Sequence, residues 1–363
     1  MAPKDRKILI TAAEGQTARC LIELLTTDED YTDKYSALSA LVFSEDAKTT
    51  LAEFEGVEVL VFDPNNEELL VQAMEKVDTC MLIPPARKDK AKITRTLLET
   101  AKKAKTVTNL VFLSSAGCDY AEKDKQPRLR EFVALETLAM AAKSDTSTEQ
   151  TGHSPCIVRA GFYAENLLLY TKQAQGEGKL PIPIDEHHKF APIALGDVAQ
   201  LLAYILTSQG PQGLADEVRG QMIVATGPIM VAGPELAQAA SQAVGAKMEF
   251  QSISEEEAMT ILSSEQGAEV DEAEKEYLLE YYSLVREGKT NYVSNSAFQA
   301  IFGHRGQELS EFFQAYSGEF KPKRRRIESA SKPSGGMAKG GKATPMKKTR
   351  SSTSKMSIDE EAG

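Results

Sequence analysis

The 363-residue chain has no tryptophan, four histidines and four cysteines, and each scarcity narrows its chemistry. Cys20, Cys80, Cys118 and Cys156 lie far apart with no C-x-x-C pair, which argues against a zinc site or a disulfide framework. They read as small buried thiols of a reducing compartment. His187-His188 follow Asp185-Glu186, but neighbours in an extended segment point to opposite sides, and no further Cys or His completes a tetrahedral set. No metal is expected. Long apolar runs are also missing: none approaches the ~20 residues of a membrane span, and the opening Met1-Ala2-Pro3-Lys4-Asp5-Arg6 lacks a secretion-signal core. A soluble, intracellular protein without membrane contact is expected.

Basic residues are short through most of the chain and crowded at its end. From Lys321 on, twelve Lys/Arg face four Asp/Glu, a balance of +8 that leaves −19 for the first 320 residues. An acidic body does not bind nucleic acid by itself, and the basic tail is expected to do so at most weakly and without sequence preference. Beyond Lys321, Lys, Ser, Gly, Pro and Thr dominate and apolar residues almost vanish. Such a segment buries too little surface to offset its ordering entropy, so residues 321–363 are expected to be a disordered tail.

What is present is an alternation of short apolar runs and helical patterns. Strands are expected at Ile8–Ile10, Ala37–Val42, Val57–Phe62, Cys80–Ile83, Asn109–Ser114 and Cys156–Arg159. Helices are expected between them, from Gln16, over Asp46–Phe54, Asn66–Lys76 and Ile93–Ala104, and at Arg130–Lys143. Apolar runs of four to six residues separated by helices indicate a parallel sheet covered on both faces, the doubly wound α/β architecture. After Gly161 the pattern loosens. Phe162–Gln173 and Asp197–Leu206 read as helices, Lys179–Asp185 as an extended segment and Gln221–Ala225 as one more strand. Helices over Glu235–Val244, Glu255–Leu262, Asp271–Arg286, Asn295–Phe302 and Glu308–Gln314 make a smaller, mainly helical region. In Asp271–Arg286, Tyr277, Leu278, Tyr281 and Leu284 at helical spacing read as a core face with a solvated acidic back.

The first strand feeds Thr11-Ala12-Ala13-Glu14-Gly15-Gln16-Thr17-Ala18-Arg19, a tight turn into a helix whose start can hold a phosphate. In a dinucleotide site one glycine makes the turn, a second admits the pyrophosphate, and a third allows close helix–strand packing. Here Ala12, Gly15 and Ala18 hold those places. Glu14 counts against an anion, since its carboxylate is expected near the phosphates. At the end of the second strand, where an acid reads a ribose hydroxyl or a base reads a 2′-phosphate, stands the uncharged Phe43. Arg19 is either a phosphate contact or a solvated surface residue.

The order of these motifs resembles the NmrA-like family of atypical short-chain dehydrogenases/reductases. The matching pieces are the opening turn, Val57–Asp63, Leu110–Gly117, Pro192–Ala199 and, most specifically, Arg159-Ala160-Gly161-Phe162-Tyr163-Ala164-Glu165-Asn166. The resemblance implies a Rossmann domain over residues 5–160, with 190–226 returning to it. It implies a smaller substrate or partner region over 161–320 and NAD(P) in the cleft between them. It nominates Thr11, Ala12, Gly15, Gln16, Thr17, Phe43, Asp63, Pro84, Ser114, Phe132, Gly161, Phe162 and Asn166 as cofactor-binding residues.

Three departures point away from catalysis. Ala12 and Ala18 replace glycines, and Phe43 falls where an arginine contacts the NADP phosphate. Phe132 stands four residues before Glu136, where the family carries a lysine that holds the nicotinamide ribose and assists proton transfer. Tyr120 has no lysine four residues on, in the Glu122–Asp124 stretch, and reads as a loop tyrosine. No catalytic residue is nominated. In the Arg159–Asn166 run, two readings stand side by side. Either Phe162 or Tyr163 lines the cofactor cleft, or Arg159 with Glu165 or Asn166 ties the strand to the next helix.

The resulting expectation is a dinucleotide-responsive regulator with little or no catalysis that binds a protein partner such as a transcription factor. The compact basic cluster Lys321–Arg326 reads as a nuclear import signal, placing the protein in cytoplasm and nucleus. Thr344, Ser351–Ser354 and Ser357 read as phosphorylation sites. The alternatives are an NAD(P)H-dependent reductase of quinones or similar carbonyls, and a scaffold acting through its tail.

Overall fold

The computed structural model describes residues 6–63, 66–141, 154–264 and 270–322. The tail expected to be disordered, the expected phosphorylation sites and the part of the expected import cluster beyond Pro322 lie outside the described residues.

The first half alternates as its apolar runs dictate: β1 (Lys7–Thr11), α1 (Gln16–Thr27), α2 (Glu29–Thr32), β2 (Ala37–Val42), α3 (Glu45–Leu51), β3 (Val57–Val61) and α4 (Glu67–Met74). Then come β4 (Thr79–Leu82), α5 (Lys90–Lys103), β5 (Asn109–Ser115), α6 (Pro127–Ala141) and β6 (Ser154–Ala160). Helix starts carry the local chemistry that specifies them. The Ser44 side chain accepts from the Ala47 amide at the start of α3, and the Asn66 side chain accepts from the Leu69 amide at the start of α4.

Beyond Gly161 follow a 3₁₀ turn (Ala164–Tyr170), α7 (Thr171–Glu177), β7 (Lys179–Ile182), β8 (Lys189–Phe190), α8 (Leu195–Thr207), β9 (Met222–Ala225) and β10 (Val231–Ala232). The chain closes with α9 (Gly233–Val244), β11 (Glu249–Ser252), α10 (Glu255–Leu262), α11 (Glu272–Arg286), α12 (Ser296–Phe302), α13 (Leu309–Ala315) and α14 (Ser317–Phe320).

Seven strands form one parallel sheet in the order β3-β2-β1-β4-β5-β6-β9. This is the expected doubly wound α/β sheet, with its strand order reversing beside β1. Ligands in such sheets sit at the carboxyl ends of the strands at that reversal. One hydrophobic cluster joins a sheet face to α1 and α8 through Leu21, Ile22, Leu25, Leu201 and Leu202. Another joins the opposite face to α4, α5 and α6 through Leu70, Leu97 and Leu135. A third cluster, centred on Tyr170, Phe190, Tyr282 and Phe313, forms the core of the mainly helical C-terminal region.

Three short strands had no counterpart in the sequence pattern. β11 pairs in parallel with β7, and β8 pairs antiparallel with β10, both outside the main sheet. The helix expected over Phe162–Gln173 divides into the 3₁₀ turn and α7. Cys80, Cys118 and Cys156 are buried and Cys20 half-buried, all as free thiols. Burial pushes the Cys80 thiol up to about 12. Among the described residues, no helix is long and apolar enough to cross a membrane, and no three His, Cys, Asp or Glu side chains gather to hold a metal.

Candidate functional site

The turn after β1 is fixed from both sides. The Thr11 hydroxyl donates to the Ile83 carbonyl at 3.1 Å and accepts from the Ile83 amide at 2.9 Å, joining the ends of β1 and β4. The Ala13 amide donates to the Leu41 carbonyl at 3.0 Å, joining the turn to β2. Ala12 adopts φ +50°, a left-handed conformation that costs a non-glycine residue roughly 1–2 kcal/mol. The place of the first glycine therefore still has glycine's backbone, with alanine bearing the strain. Gly15, by contrast, has an ordinary φ of −73°. Its contribution is room: an added Cβ would stand 3.3 Å from the Ala12 carbonyl oxygen. Ala18 is fully buried in the helix–sheet core.

Gly15 caps α1 without a side chain, and the first turn of α1 carries no acid. Gly15 and Gln16 are exposed and Thr17 is half-buried. The opening amides of a twelve-residue helix thus face outward without a capping side chain, an arrangement that favours an anion. Glu14 does not crowd them, contrary to expectation. Its side chain turns toward β2, where Oε1 accepts from the Phe43 amide at 3.2 Å. Burial raises its pKa, opposed by hydrogen bonds from its own and the Phe43 amides and by the Arg87 charge. Phe43 packs edge-on against Phe62 at 5.4 Å, with the Arg87 guanidinium 5.5 Å from its ring centre. Arg19 pairs with Glu53 at 2.8 Å, so its charge is engaged on α3's side of the turn.

At the carboxyl ends of β5 and β6 the polar groups are committed to one another. Arg159 donates from Nε and from a terminal nitrogen to the two oxygens of Glu136 in α6, both at 2.8 Å, and pairs with Asp119 at 3.0 Å. Ser114 donates to the same Glu136 oxygen at 2.5 Å. These bonds raise the Arg159 pKa further, and the guanidinium stays charged. The strand is therefore tied to α6, and not to Glu165 or Asn166 as one of the two sequence readings had it. Glu165 instead accepts from the Leu195 amide at the start of α8, at 2.9 Å. Residue alternation explains the difference: Arg159 lies on the α6 face of the sheet, while Glu165 follows the turn toward α8.

Phe132 lies half-buried on α6, with the Lys90 ammonium 4.1 Å above its ring and Tyr277 of α11 6.2 Å away, centre to centre. Lys90 also donates to the Arg128 carbonyl at 2.8 Å and pairs with Glu131 at 3.4 Å. Burial lowers its pKa, with Glu131 opposing. Tyr277 shares a 2.9 Å hydrogen bond with Ser115 at the end of β5, and Tyr163 shares one of 3.5 Å with Thr17 of α1. Burial pushes both phenols above their ordinary range. It also raises the carboxyl of Glu274, which lies within electrostatic reach of both tyrosines, while the Lys90 charge opposes it. At the β5 turn, Gly117 adopts φ +85°, and an added Cβ would stand 3.1 Å from Leu284 of α11.

Of the nominated residues, Thr11, Ala12, Gly15, Gln16, Thr17, Phe43 and Pro84 gather at the ends of β1, β2 and β4. Asp63 is exposed just past β3. Ser114 is turned into the Glu136 network, and the Gly161 amide donates to the Ala225 carbonyl at 2.8 Å. Phe162 leaves the cleft: it is 2% exposed and packs against Phe190, Tyr281 and Tyr282 in the C-terminal core. Asn166 is half-buried in the 3₁₀ turn, its amide bonded to the Tyr163 carbonyl. Lys90, Ser115, Tyr163, Glu274 and Tyr277 complete the cleft. Of these only Tyr163 was read from the sequence as a cleft residue, and Tyr277 was read as part of a core face. A separate groove of about 640 Å³ lies between β9 and α12, lined by Met222, Ile223, Ala297 and Ile301, and shares none of these residues.

Residues 4–318 match the sequence profile of the NmrA-like family. The chain belongs to that family. Among curated relatives of this NmrA-like protein, an NAD(P)H azoreductase of Xenophilus azovorans is 24% identical over 276 residues, 76% of this chain and 87% of the azoreductase. A triphenylmethane reductase of Citrobacter sp., solved with NADP(H), superposes with a TM-score of 0.68 at 20% identity, covering 86% of this chain and all of the reductase. NmrA itself, a negative transcriptional regulator solved with NADP, superposes at 0.63 and 16% identity over 86% of this chain and 95% of its own. Its relatives and structural neighbours thus include both a regulator and reductases.

Proposed function

We propose that this NmrA-like chain binds NAD(P) at the ends of β1, β2 and β4 and uses it as a signal to a protein partner more than as a reagent. The fit rests on the uncapped start of α1 and the room that Gly15 leaves. The Gly15 amide closes the turn on the Ala12 carbonyl at 3.0 Å, so the amides of Gln16 and Thr17 would hold the pyrophosphate, and Phe43 would flank the adenosine. When bound, a nicotinamide supplies or accepts a hydride. The chain's own residues bind, orient and exclude water.

The surroundings of Phe132 carry the weak-catalysis reading. An aromatic ring fills the place that the family keeps for its lysine, and the nearest ammonium, on Lys90, is held by Arg128 and Glu131. The two cleft phenols are pushed away from neutral titration, so no lysine–tyrosine pair stands ready to move a proton. α11 contacts the cleft through Tyr277 and the α6 start through Glu276 and Glu280. A dinucleotide that favours one setting of α11 would change the surface a partner meets, by linkage. Nuclear entry through Lys321–Arg326 belongs to this reading, and the negative regulator among its structural neighbours supports it.

Calorimetry with NAD, NADH, NADP and NADPH tests the site. Binding of at least one form, abolished by Gly15→Asp, is expected, and no binding at millimolar ligand overturns the reading. Deleting residues 321–363 should abolish nuclear accumulation and leave that binding unchanged.

Glu274 favours a second reading, reduction of a quinone, azo or similar acceptor by NAD(P)H. A carboxyl whose pKa is raised by burial holds its proton to higher pH than an exposed one, and this one lies within electrostatic reach of Tyr163 and Tyr277. NADPH oxidation above background with an acceptor panel, lost in Glu274→Gln, would establish it.

A further inference from the structure

The main sheet ends at β9, which pairs with β6 on one side and with no strand on the other among the described residues. Its register shows which backbone groups are left over. The Gln221 carbonyl accepts from the Ile157 amide at 2.9 Å, and the Ala225 carbonyl accepts from the Gly161 amide at 2.8 Å. Backbone groups alternate along a strand, so those of residues 221, 223 and 225 face β6 while those of Met222 and Val224 face outward. At the carboxyl end this outward row is already in use. There the Thr226 amide donates to the Ser294 carbonyl at 2.9 Å, just before the chain turns into α12. The amides and carbonyls of Met222 and Val224 have no such partner among the described residues. They border the groove whose far wall is α12, where Ala297, Ala300 and Ile301 line it. The exposed Glu217 lines the same groove, holding the Tyr204 hydroxyl. No basic side chain pairs with Glu217 among the described residues, and the nearby Arg219 is taken by Asp216 at 2.8 Å.

We infer that this edge is a docking site for an extended, basic peptide segment of a partner protein, which adds to the sheet as an eighth strand. An unpaired sheet edge is a template for such pairing, and a peptide backbone carries donors and acceptors at the spacing that Met222 and Val224 present. Ser294 closes the carboxyl end, so the free stretch accommodates roughly four or five residues at ~3.3 Å each. Ile223 turns into the core with α8, and Ala297 and Ile301 pack against that same cluster. Side chains of the added strand that point to this side would meet α12 and should be apolar, while alternate ones lie beside the exposed Met222. Glu217 calls for lysine or arginine in the segment. This names the kind of partner that the proposed function leaves open. The groove shares no residue with the dinucleotide site, so the inference stands or falls separately from dinucleotide binding.

Fluorescence anisotropy of the full-length protein with labelled peptides tests it. A short peptide of alternating lysine and valine should bind saturably, and one of alternating glutamate and valine much more weakly. N-methylation of the lysine–valine peptide keeps its charge but removes its backbone donors, and should weaken binding about tenfold or more. Val224→Pro removes an outward donor and leaves the Ile223 and Ala225 bonds to β6, so it should weaken the same peptide several-fold. Glu217→Lys should narrow the gap between the basic and acidic peptides, with thermal unfolding confirming that each variant folds. Absence of binding, or binding that survives N-methylation, overturns the inference. So does self-association of the native chain in ultracentrifugation that Val224→Pro abolishes, which would give the edge to a second copy.

Discussion

The two ends of the cleft are built on opposite plans. At the β1–β2 end, recognition rests on backbone: uncapped amides of α1, a strained Ala12 and a small Gly15. At the β5–β6 end, nearly every polar side chain is already spoken for. Arg159, Glu136, Ser114 and Asp119 bind one another, and Phe132 is covered by Lys90 and Tyr277. Backbone recognition survives the loss of side chains, whereas proton transfer does not. The difference teaches that the two tasks of such a cleft depend on different parts of the chain, cofactor grip on the backbone and proton transfer on the side chains.

The sharpest way to break this comparison is Glu136→Ala. If the far end is structural, the variant leaves the buried Arg159 with only the half-exposed Asp119 as an ion partner, and urea unfolding should show about 3 kcal/mol less stability, the low end for breaking a buried pair. Unchanged stability with weaker dinucleotide binding would mean that the pair serves the ligand. Next in size is Phe132→Lys, which sets a second ammonium beside Lys90. We expect about 1–3 kcal/mol of destabilisation from lost packing and like charge, with NADPH oxidation still at background. A large gain in turnover would make the missing lysine the sole defect.

Smaller effects sharpen the near end. Ala12→Gly removes the left-handed strain but adds freedom to the unfolded chain. The net gain should be under about 1 kcal/mol, read as a rise in thermal midpoint. Glu14→Gln should reveal itself through pH. Because burial raises the folded-state pKa above its ordinary 4.5, the carboxyl's contribution is greatest below pH 4.5 and fades as pH climbs through the folded value. The variant's stability relative to the native chain should therefore increase with pH above 4.5, measured by urea unfolding across that range.

The main sheet was legible because its strands are buried on both faces and read as continuous apolar runs, as in Leu110–Leu113. The β7–β11 pair was not, because Pro181 interrupts one strand and Glu249-Phe250-Gln251-Ser252 is mostly polar. The turn after β1 was legible as a motif, yet its strain was not: only φ shows that Ala12 keeps a glycine's backbone. Tyr277 carried a helical-face signal that placed it in the core, and Leu278, Tyr281 and Leu284 do lie there. Its hydroxyl reaches Ser115, 162 residues away in sequence, a contact no local pattern encodes. Lys90 was invisible for the same reason, since α5 and α6 bring it to Phe132 only when packed.

α6 begins with a debt to a distant helix. Its opening amides, at Arg128 and Leu129, donate to the two oxygens of Glu280 in α11 at 3.1 and 2.9 Å, and Gln126 just before it binds Ser283 and Glu287. A helix capped by a carboxylate some 150 residues later in the chain lacks that cap during synthesis until α11 has emerged and docked, and its opening amides rest on water in the meantime. The amino-terminal half would then wait for the carboxyl-terminal half, and a chain cut ahead of Glu272 would expose a frayed α6 and the Lys90 pocket beneath it. Assembly order, on this view, is written into a single glutamate.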